Sequence, residues 1–420
     1  MKYRSPRSAS TRTSTISRRT LLGATVGVSL SSVAFTVPAQ AQSDSSTVWE
    51  FETNAGIFSS VTVSGQTAFV GSKDRRVYAI DSESGEQLWQ FETAGAIFSS
   101  PAVDDETVYI GSNDGSLHAI RRETGEETWN FETGNSVRSS PSILDETIVI
   151  GSDDGAVYGV NISTGEEEWA FETEAGVFSS PTVANGSVYI GSFDNSLYSL
   201  DLSTGEMEWQ FESEGPIYSS PTIDSGSVII GSTDGRIYAV DADSGTQQWS
   251  LETRLQIRSS PTVNADRVYI GGIDGRVYAL DANSGTEEWA TQTEDQIFSS
   301  PTVVDGVVVV GSNDGNVYTV HADSGEIEST FETRSPVFSS PTVVNGIAFF
   351  GSDNGTIYAV DISSIDGSSA GSRTALGTLG YYTQENSLFG TAVSTPGFGI
   401  TTGAVAVGSL GYLLRRRSSD

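Results

Sequence analysis

Short apolar runs of about five residues alternate along the chain with clusters of glycine, serine and aspartate. Between Ile217 and Trp249, the runs at 227–231 and 236–240 are separated by a turn that contains Thr-Asp-Gly. Runs of this length, rich in β-branched and aromatic residues, predict strands, and Asp-Gly provides the positive φ of a hairpin turn. Segments 219–223 and 248–252 complete a predicted unit of four antiparallel strands.

This unit returns every forty residues without an insertion or a deletion. Eight copies at a fixed period predict an all-β, eight-bladed β-propeller of four-stranded antiparallel blades. The repeated glycines are Gly71, Gly111, Gly151, Gly191, Gly231, Gly271, Gly311 and Gly351. The repeated tryptophans are Trp49, Trp89, Trp129, Trp169, Trp209, Trp249 and Trp289, and the next register position holds Ser329.

The two ends of the repeat array complement each other. Residues 48–53 read as a fourth strand without its first three, and residues 356–361 read as a third strand without its fourth. We therefore expect the N-terminal strand to pair with the last blade and to close the propeller over 48–362. Closure leaves no unpaired sheet edge around the disc.

Each repeated residue type has a structural interpretation. The paired serines of each first strand, followed by proline in all repeats but the first, are expected near the axis, where only small side chains fit. Each tryptophan is expected on an outer strand, docked against the neighbouring blade. The repeated acids, from Asp74 to Asp314, lie in turns, and the spacing of a calcium-binding loop is absent, so we favour a role in the turns.

The N-terminal segment differs from the repeats. It is basic and without acids at first, then apolar as far as Val37, and then offers small residues before Gln42. This order predicts a twin-arginine-type signal peptide over 1–41 and a short linker over 42–47, with a disordered basic tail as the alternative. The residues that carry export and processing are Arg18, Arg19, Ala39 and Ala41.

The C-terminal segment also departs from the repeats. Residues 363–395 are rich in Ser, Gly and Thr and predict a stalk, and residues 396–420 contain a sixteen-residue apolar run before three arginines. This order resembles the PGF-type sorting signal of archaeal surface proteins, whose apolar tail is replaced by a lipid anchor. A retained transmembrane helix is the alternative, although a stable span prefers roughly 20 residues. The sorting residues are Pro396, Gly397 and Phe398.

The chain is strongly acidic, with 22 Lys and Arg against 54 Asp and Glu and a formal net charge of −32. Lys73 is the one lysine outside the N-terminal segment. Such a surface resembles that of proteins from salt-adapted archaea, and it opposes direct binding to nucleic acid or anionic lipid. The chain has no cysteine, which excludes disulfides and thiolate sites.

One motif points to a family. An Ala-x-Asp-x-x-Ser-Gly-x-x-x-Trp pattern ends several repeats and resembles the tryptophan-docking motif of the pyrroloquinoline-quinone (PQQ) repeat. Its clearest copies are Ala79, Asp81, Ser84, Gly85 and Trp89, then Ala239, Asp241, Ser244, Gly245 and Trp249, and Ala279, Asp281, Ser284, Gly285 and Trp289. The resemblance covers residues 48–361 and implies either a quinoprotein dehydrogenase or a cofactor-free, BamB-like scaffold.

The regular period favours the scaffold. Quinoprotein dehydrogenases carry loops inserted between strands to build the quinone chamber, and many carry adjacent cysteines, whereas this chain has neither. We therefore expect no enzymatic activity, no cofactor, and no catalytic or metal-binding residue. A PQQ-dependent oxidoreductase is the alternative.

One register position breaks the pattern in a way that indicates recognition. Six aromatic residues and two arginines occupy it, and aromatic residues and arginine are enriched in interfaces. The eight residues are Phe58, Phe98, Arg138, Phe178, Tyr218, Arg258, Phe298 and Phe338. The alternative interpretation is that each arginine pairs with a neighbouring turn acid.

Other departures carry less weight. His118 replaces a tyrosine and His321 replaces an aspartate, and both read as incidental. Asn161, Asn185 and Asn354 begin glycosylation sequons. Together these observations predict an exported monomer at the cell surface, anchored to the cytoplasmic membrane through its C-terminus, that binds an envelope protein or glycan without catalysis.

Overall fold

The computed structural model describes residues 46–362, in which every regular element is a strand. The strands form eight four-stranded antiparallel sheets, so the predicted eight-bladed propeller is confirmed. The predicted signal peptide, stalk and sorting signal lie outside the described residues. Among residues 46–362, no helix is long and apolar enough to cross a membrane.

The strands follow the repeat closely. The first strand of the chain is β1 (Ser46–Glu52). Blade 1 consists of β2 (Thr62–Ser64), β3 (Thr67–Gly71), β4 (Arg76–Asp81) and β5 (Gln87–Glu92), and blade 2 consists of β6 (Ala102–Val103), β7 (Thr107–Gly111), β8 (Ser116–Arg121) and β9 (Glu127–Glu132). Blade 3 consists of β10 (Ser142–Leu144), β11 (Thr147–Gly151), β12 (Ala156–Asn161) and β13 (Glu167–Glu172). Blade 4 consists of β14 (Thr182–Ala184), β15 (Ser187–Gly191), β16 (Ser196–Asp201) and β17 (Met207–Glu212). Blade 5 consists of β18 (Thr222–Asp224), β19 (Ser227–Gly231), β20 (Arg236–Asp241) and β21 (Gln247–Glu252). Blade 6 consists of β22 (Thr262–Asn264), β23 (Arg267–Gly271), β24 (Arg276–Asp281) and β25 (Glu287–Gln292). Blade 7 consists of β26 (Thr302–Val304), β27 (Val307–Gly311), β28 (Asn316–His321) and β29 (Ile327–Glu332). Blade 8 consists of β30 (Thr342–Val344), β31 (Ile347–Gly351), β32 (Thr356–Asp361) and β1.

The last blade is completed by the first strand. β1 pairs antiparallel with β32, with Trp49 opposite Ala359, as Trp89 lies opposite Ala79 in blade 1. β1 begins at Ser46, two residues inside the segment that the sequence assigned to a linker. The fourth strand of blade 8 thus has the same register as its counterparts, although it comes from the other end of the chain.

The inner strands begin later than predicted. The sequence analysis placed a first strand at 219–223, whereas β18 begins at Thr222. The paired serines precede the strand, and the amide of the second serine bonds to the next blade rather than to its own sheet. The amide of Ser220 donates to Oγ of Ser260 in the next blade at 2.9 Å.

These contacts run through all eight blades and form a closed circle, called here the serine circle. It returns from Ser340 to Ser60, with the Ser340 amide 3.2 Å from Ser60 Oγ. The members are Ser60, Ser100, Ser140, Ser180, Ser220, Ser260, Ser300 and Ser340, and all are buried. The circle therefore joins blade 8 to blade 1 near the axis without help from β1.

The hydrophobic core lies between blades. Ile229 and Ile237 of blade 5 belong to one buried cluster with Ile257 and Ile270 of blade 6. A Cβ at Gly231 would lie 2.1 Å from Cγ2 of Ile257, closer than atoms can approach. The repeated glycine is therefore needed where the next blade's aliphatic side chain packs against a strand end.

The tryptophans join the blades at the outer rim. Nε1 of Trp209 donates to the carbonyl of Ala242 in the next blade at 2.8 Å, and the indole lies against Gly245. Gly245 has a φ of 69°, and a Cβ there would lie 2.8 Å from the indole. Both the left-handed backbone and the lack of space beside the indole therefore require glycine. Trp209 is only 8% exposed. All seven tryptophans make the same contact, each with a residue 33 positions later.

The repeated turn acids connect blades as well as shaping turns. Asp234 accepts hydrogen bonds from the Arg236 amide at 2.8 Å, from the Tyr238 hydroxyl at 2.7 Å, and from the Glu214 amide of the preceding blade at 3.0 Å. Burial and the hydrogen bond to Asp234 raise the pKa of Tyr238 to about 12. The acid and the tyrosine therefore act as one structural pair.

Candidate functional site

The eight residues of the predicted recognition position form a closed circle around the axis, called here the mouth ring. Neighbouring aromatic members have ring centroids 4.2 to 5.7 Å apart. Each arginine lies over both of its aromatic neighbours, with guanidinium carbons 4.6 to 5.7 Å from the ring centroids. Every member is half-buried. The structure thus brings all eight candidate residues together at one opening of the propeller.

The local sequence explains this placement. Each member follows a buried aliphatic residue that packs between blades, so alternation leaves the next side chain at the axial opening. In three repeats, the hairpin residue fifteen positions later lies beside the member, as Lys73, Asp153 and Phe193 do. Lys73 shows this arrangement: its Nζ lies 4.8 Å from the Phe58 ring centroid and 2.8 Å from Asp353 Oδ1.

The two arginines of the mouth ring differ in their partners. Nε of Arg138 lies 3.4 Å from Asp153 Oδ2 and donates to Asn113 Oδ1 at 3.3 Å. Burial raises the pKa of Asp153, and the charge of Arg138 offsets this only in part. For Arg138, the pairing with a turn acid is the arrangement observed.

Arg258 has no such acid. The hairpin residues that correspond to Asn113 and Asp153 are Thr233 and Ile273, neither of which carries a charge. Among residues 46–362, Arg258 makes no hydrogen bond and no ion pair, and its Nε is buried without a partner. Its contacts are the flanking rings of Tyr218 and Phe298. The pairing interpretation therefore fails for this arginine.

A ninth residue, the seventh aromatic one, joins the mouth ring between the two arginines. Phe193 stacks on Phe178, with centroids 4.5 Å apart and planes 15° apart, and it lies 4.2 Å from the Tyr218 centroid. Phe193 was not among the predicted recognition residues. Its signal is that a large aromatic residue occupies a hairpin position that other repeats fill with smaller or polar residues.

His118 is more than an incidental replacement. The imidazole is 7% exposed, with Nδ1 2.8 Å from Glu127 Oε1 and Nε2 3.2 Å from Asp114 Oδ2. Burial opposes its positive charge, but hydrogen bonds to the two carboxylates outweigh burial and raise its pKa. Burial likewise opposes ionisation of Asp114, yet its hydrogen bonds with His118 and backbone amides lower its pKa to about 2.

This arrangement predicts a pH-dependent contribution to stability. Charged His118 stabilises the fold fully below its ordinary pKa of 6.5, and this contribution is lost as the pH rises through the raised folded pKa. His118→Tyr restores the residue of the other repeats, which stays neutral. We expect the unfolding free energy of the native protein, relative to this variant, to fall as the pH rises above about 6.5. Thermal unfolding of both proteins measures it, and a constant difference would contradict a charged imidazole.

The remaining predicted sites have distinct surroundings. Asn185 is exposed in a hairpin turn, whereas the amide groups of Asn161 and Asn354 donate to Glu168 and to Tyr358. His321 accepts from the amides of Asp323 and Ser324, as Asp281 does in its own turn. The export residues and the sorting residues lie outside the described range.

A metal site would need several oxygen or imidazole donors together. No group of three or more His, Asp or Glu side chains within 46–362 is placed to hold an ion. The two acids beside the mouth ring, Asp153 and Asp353, already pair with Arg138 and Lys73. The mouth therefore does not fit the calcium ion on which a quinone cofactor would depend.

Comparison with known proteins agrees with this architecture. Residues 34–209 match the family described as outer membrane protein assembly factor BamB. Residues 183–388 match the family described as the β-propeller of β-alanine-activating enzyme. The chain is similar to BamB-type propellers. No protein with a curated description matches the sequence significantly.

Two solved structures illustrate the likeness. BamB from Moraxella catarrhalis is 21% identical, with a TM-score of 0.67 over 76% of this chain and 99% of that one. The computationally designed protein Ika8 is 18% identical, with a TM-score of 0.68 over 74% of this chain and 98% of that one. At these identities, the likeness concerns the fold.

Proposed function

We propose that this protein is a non-catalytic binding scaffold of the cell envelope that engages a protein partner at the mouth ring. The observation that carries the proposal is the closed circle of six half-buried aromatic residues and two arginines at one opening of a rigid disc. Aromatic residues and arginine are prominent in protein interfaces because aromatic rings bury a large area and arginine makes charge-assisted hydrogen bonds.

The surroundings of the mouth ring support binding rather than catalysis. The acids beside it are held in ion pairs, and the buried His118 is engaged by two carboxylates of its own blade. A PQQ-dependent oxidoreductase is therefore the weaker candidate. Protein binding also agrees with the matched family description, which names an assembly factor of the outer membrane.

Cell-surface attachment forms part of the same proposal. It rests on the sequence of residues 1–41 and 396–420, where an export signal and a sorting signal are predicted. A rigid disc on a stalk of 33 residues would present the mouth ring away from the membrane, and a serine- and glycine-rich stalk gives it reach.

Site-specific cross-linking tests the proposal. A photoreactive phenylalanine analogue replaces Phe338 in the mouth ring or, as the control, Leu88, which is 54% exposed on the outer strand of blade 1. We expect envelope extract in concentrated salt to give a discrete cross-linked protein from the mouth position alone. Cross-linking only from position 88, or equally from both positions, would show that the mouth ring does not bind the partner.

A further inference from the structure

The mouth ring carries one uncompensated positive charge on a strongly acidic chain. Arg138 and Lys73 each pair with an aspartate, whereas Arg258 has no acid partner among the described residues. Its Nε is buried without an acceptor, whereas its two terminal nitrogens are not among the buried unsatisfied atoms. The terminal nitrogens can therefore meet an acceptor supplied from outside the chain.

The neighbouring groups are arranged to receive such an acceptor. Arg258 stacks on Tyr218, with its guanidinium carbon 4.6 Å from the ring centroid. A stacked guanidinium keeps its N–H edge free for a carboxylate, which it binds through two parallel hydrogen bonds. The Tyr218 hydroxyl has no hydrogen-bond partner in the described part of the chain, and it provides a further donor.

We propose that Arg258 and Tyr218 form a carboxylate-binding subsite for an acidic side chain of the partner protein, with Phe193 packing against the apolar residues beside that side chain. The proposal rests on the proposed function and gives the partner's chemistry. It requires a Glu or Asp flanked by apolar residues in an exposed segment of the partner.

The packing of the aromatic residues favours a peptide over an acidic sugar. A sugar ring stacks on an open aromatic face. Phe193 stacks on Phe178 and lies 4.2 Å from the Tyr218 centroid, and Arg258 lies over the Tyr218 ring. Because these rings already engage one another and the arginine, aliphatic side chains fit beside them better than a stacked sugar ring does.

The difference between the two arginines provides matched variants. Ile273→Asp places an acid beside Arg258 at the position from which Asp153 reaches Arg138, so it should neutralise the subsite while the arginine stays. Arg258→Gln removes the charge itself. Arg138→Gln is the control because Arg138 is already paired. Asp153→Asn frees Arg138 and should add a second subsite.

The probes are pentapeptide mixtures, acetylated and amidated at their ends, with a central Glu or a central Gln and variable neighbours. A third mixture has the central Gln and a free C-terminal carboxylate, and oligogalacturonate represents an acidic sugar. Each is passed over the immobilised native protein or one of its variants at equal salt, and the retained fraction is measured by mass spectrometry.

We expect the native protein to retain Glu peptides about tenfold over Gln peptides, the size of one charge-assisted contact. Ile273→Asp and Arg258→Gln should abolish this preference, Arg138→Gln should keep it, and Asp153→Asn should increase it. Equal retention of Glu and Gln peptides would overturn the subsite while leaving the mouth as a binding surface. Retention of the free-carboxylate mixture alone would assign a chain end, retention of oligogalacturonate alone a glycan, and either would overturn the proposal.

Discussion

Deletion of residues 1–53 should abolish the folded monomer. The deletion removes β1, so β32 becomes an unpaired edge strand with a row of free amides and carbonyls. It also removes Trp49, whose indole covers Gly85 and donates to Ser82. Loss of a buried tryptophan alone costs about 3–5 kcal/mol, against a total stability of about 5–15 kcal/mol for a typical domain.

Light scattering after size-exclusion chromatography, together with thermal unfolding, measures this effect. The matched control is deletion of residues 1–45, which keeps β1 whole and should unfold like the full-length chain. A monomeric 54–420 protein with an unchanged melting temperature would mean that the serine circle alone closes the propeller.

Trp209→Ala should lower the unfolding free energy by about 3–5 kcal/mol, since it leaves a cavity over Gly245 and removes the indole hydrogen bond to the Ala242 carbonyl. That carbonyl keeps the longer bond from the Tyr189 hydroxyl, at 3.4 Å. The chain contains its own control at the same register position in blade 7. Ser329 there is bonded only within its blade, to Thr319 at 2.8 Å between the two Oγ atoms.

Ser329→Ala should therefore cost less than about 1 kcal/mol. Denaturant unfolding of the two variants at one salt concentration gives the comparison. Equal losses would show that the indole contributes no more to the contact between blades than a serine at the same register position.

The regular features of the fold were predictable because the same forty-residue pattern occurs eight times in the sequence. The period gave the blade number, and the alternation within one repeat gave its strands. The late start of the inner strands was not predictable, because the amide of Ser220 finds its acceptor in another blade. A strand signal within one repeat contains no information about such a contact.

The candidate site was predictable in part. The register position of the mouth ring stood out because aromatic residues and arginine share it. The different states of Arg138 and Arg258 depend on hairpin residues fifteen positions later, and only the folded blade shows that these lie side by side. Likewise, the carboxylates on His118 come from the turn before it and from the neighbouring strand β9.

The pairing of β1 with β32 also has a mechanical consequence. The strand through which the described chain leaves the propeller is flanked on both sides, by β31 and by β1. Tension applied at Ile362 therefore loads two hydrogen-bonded ladders at once, and β32 cannot peel away as an edge strand would. Under tension, the hydrogen bonds from β1 therefore help to keep β32 in its sheet.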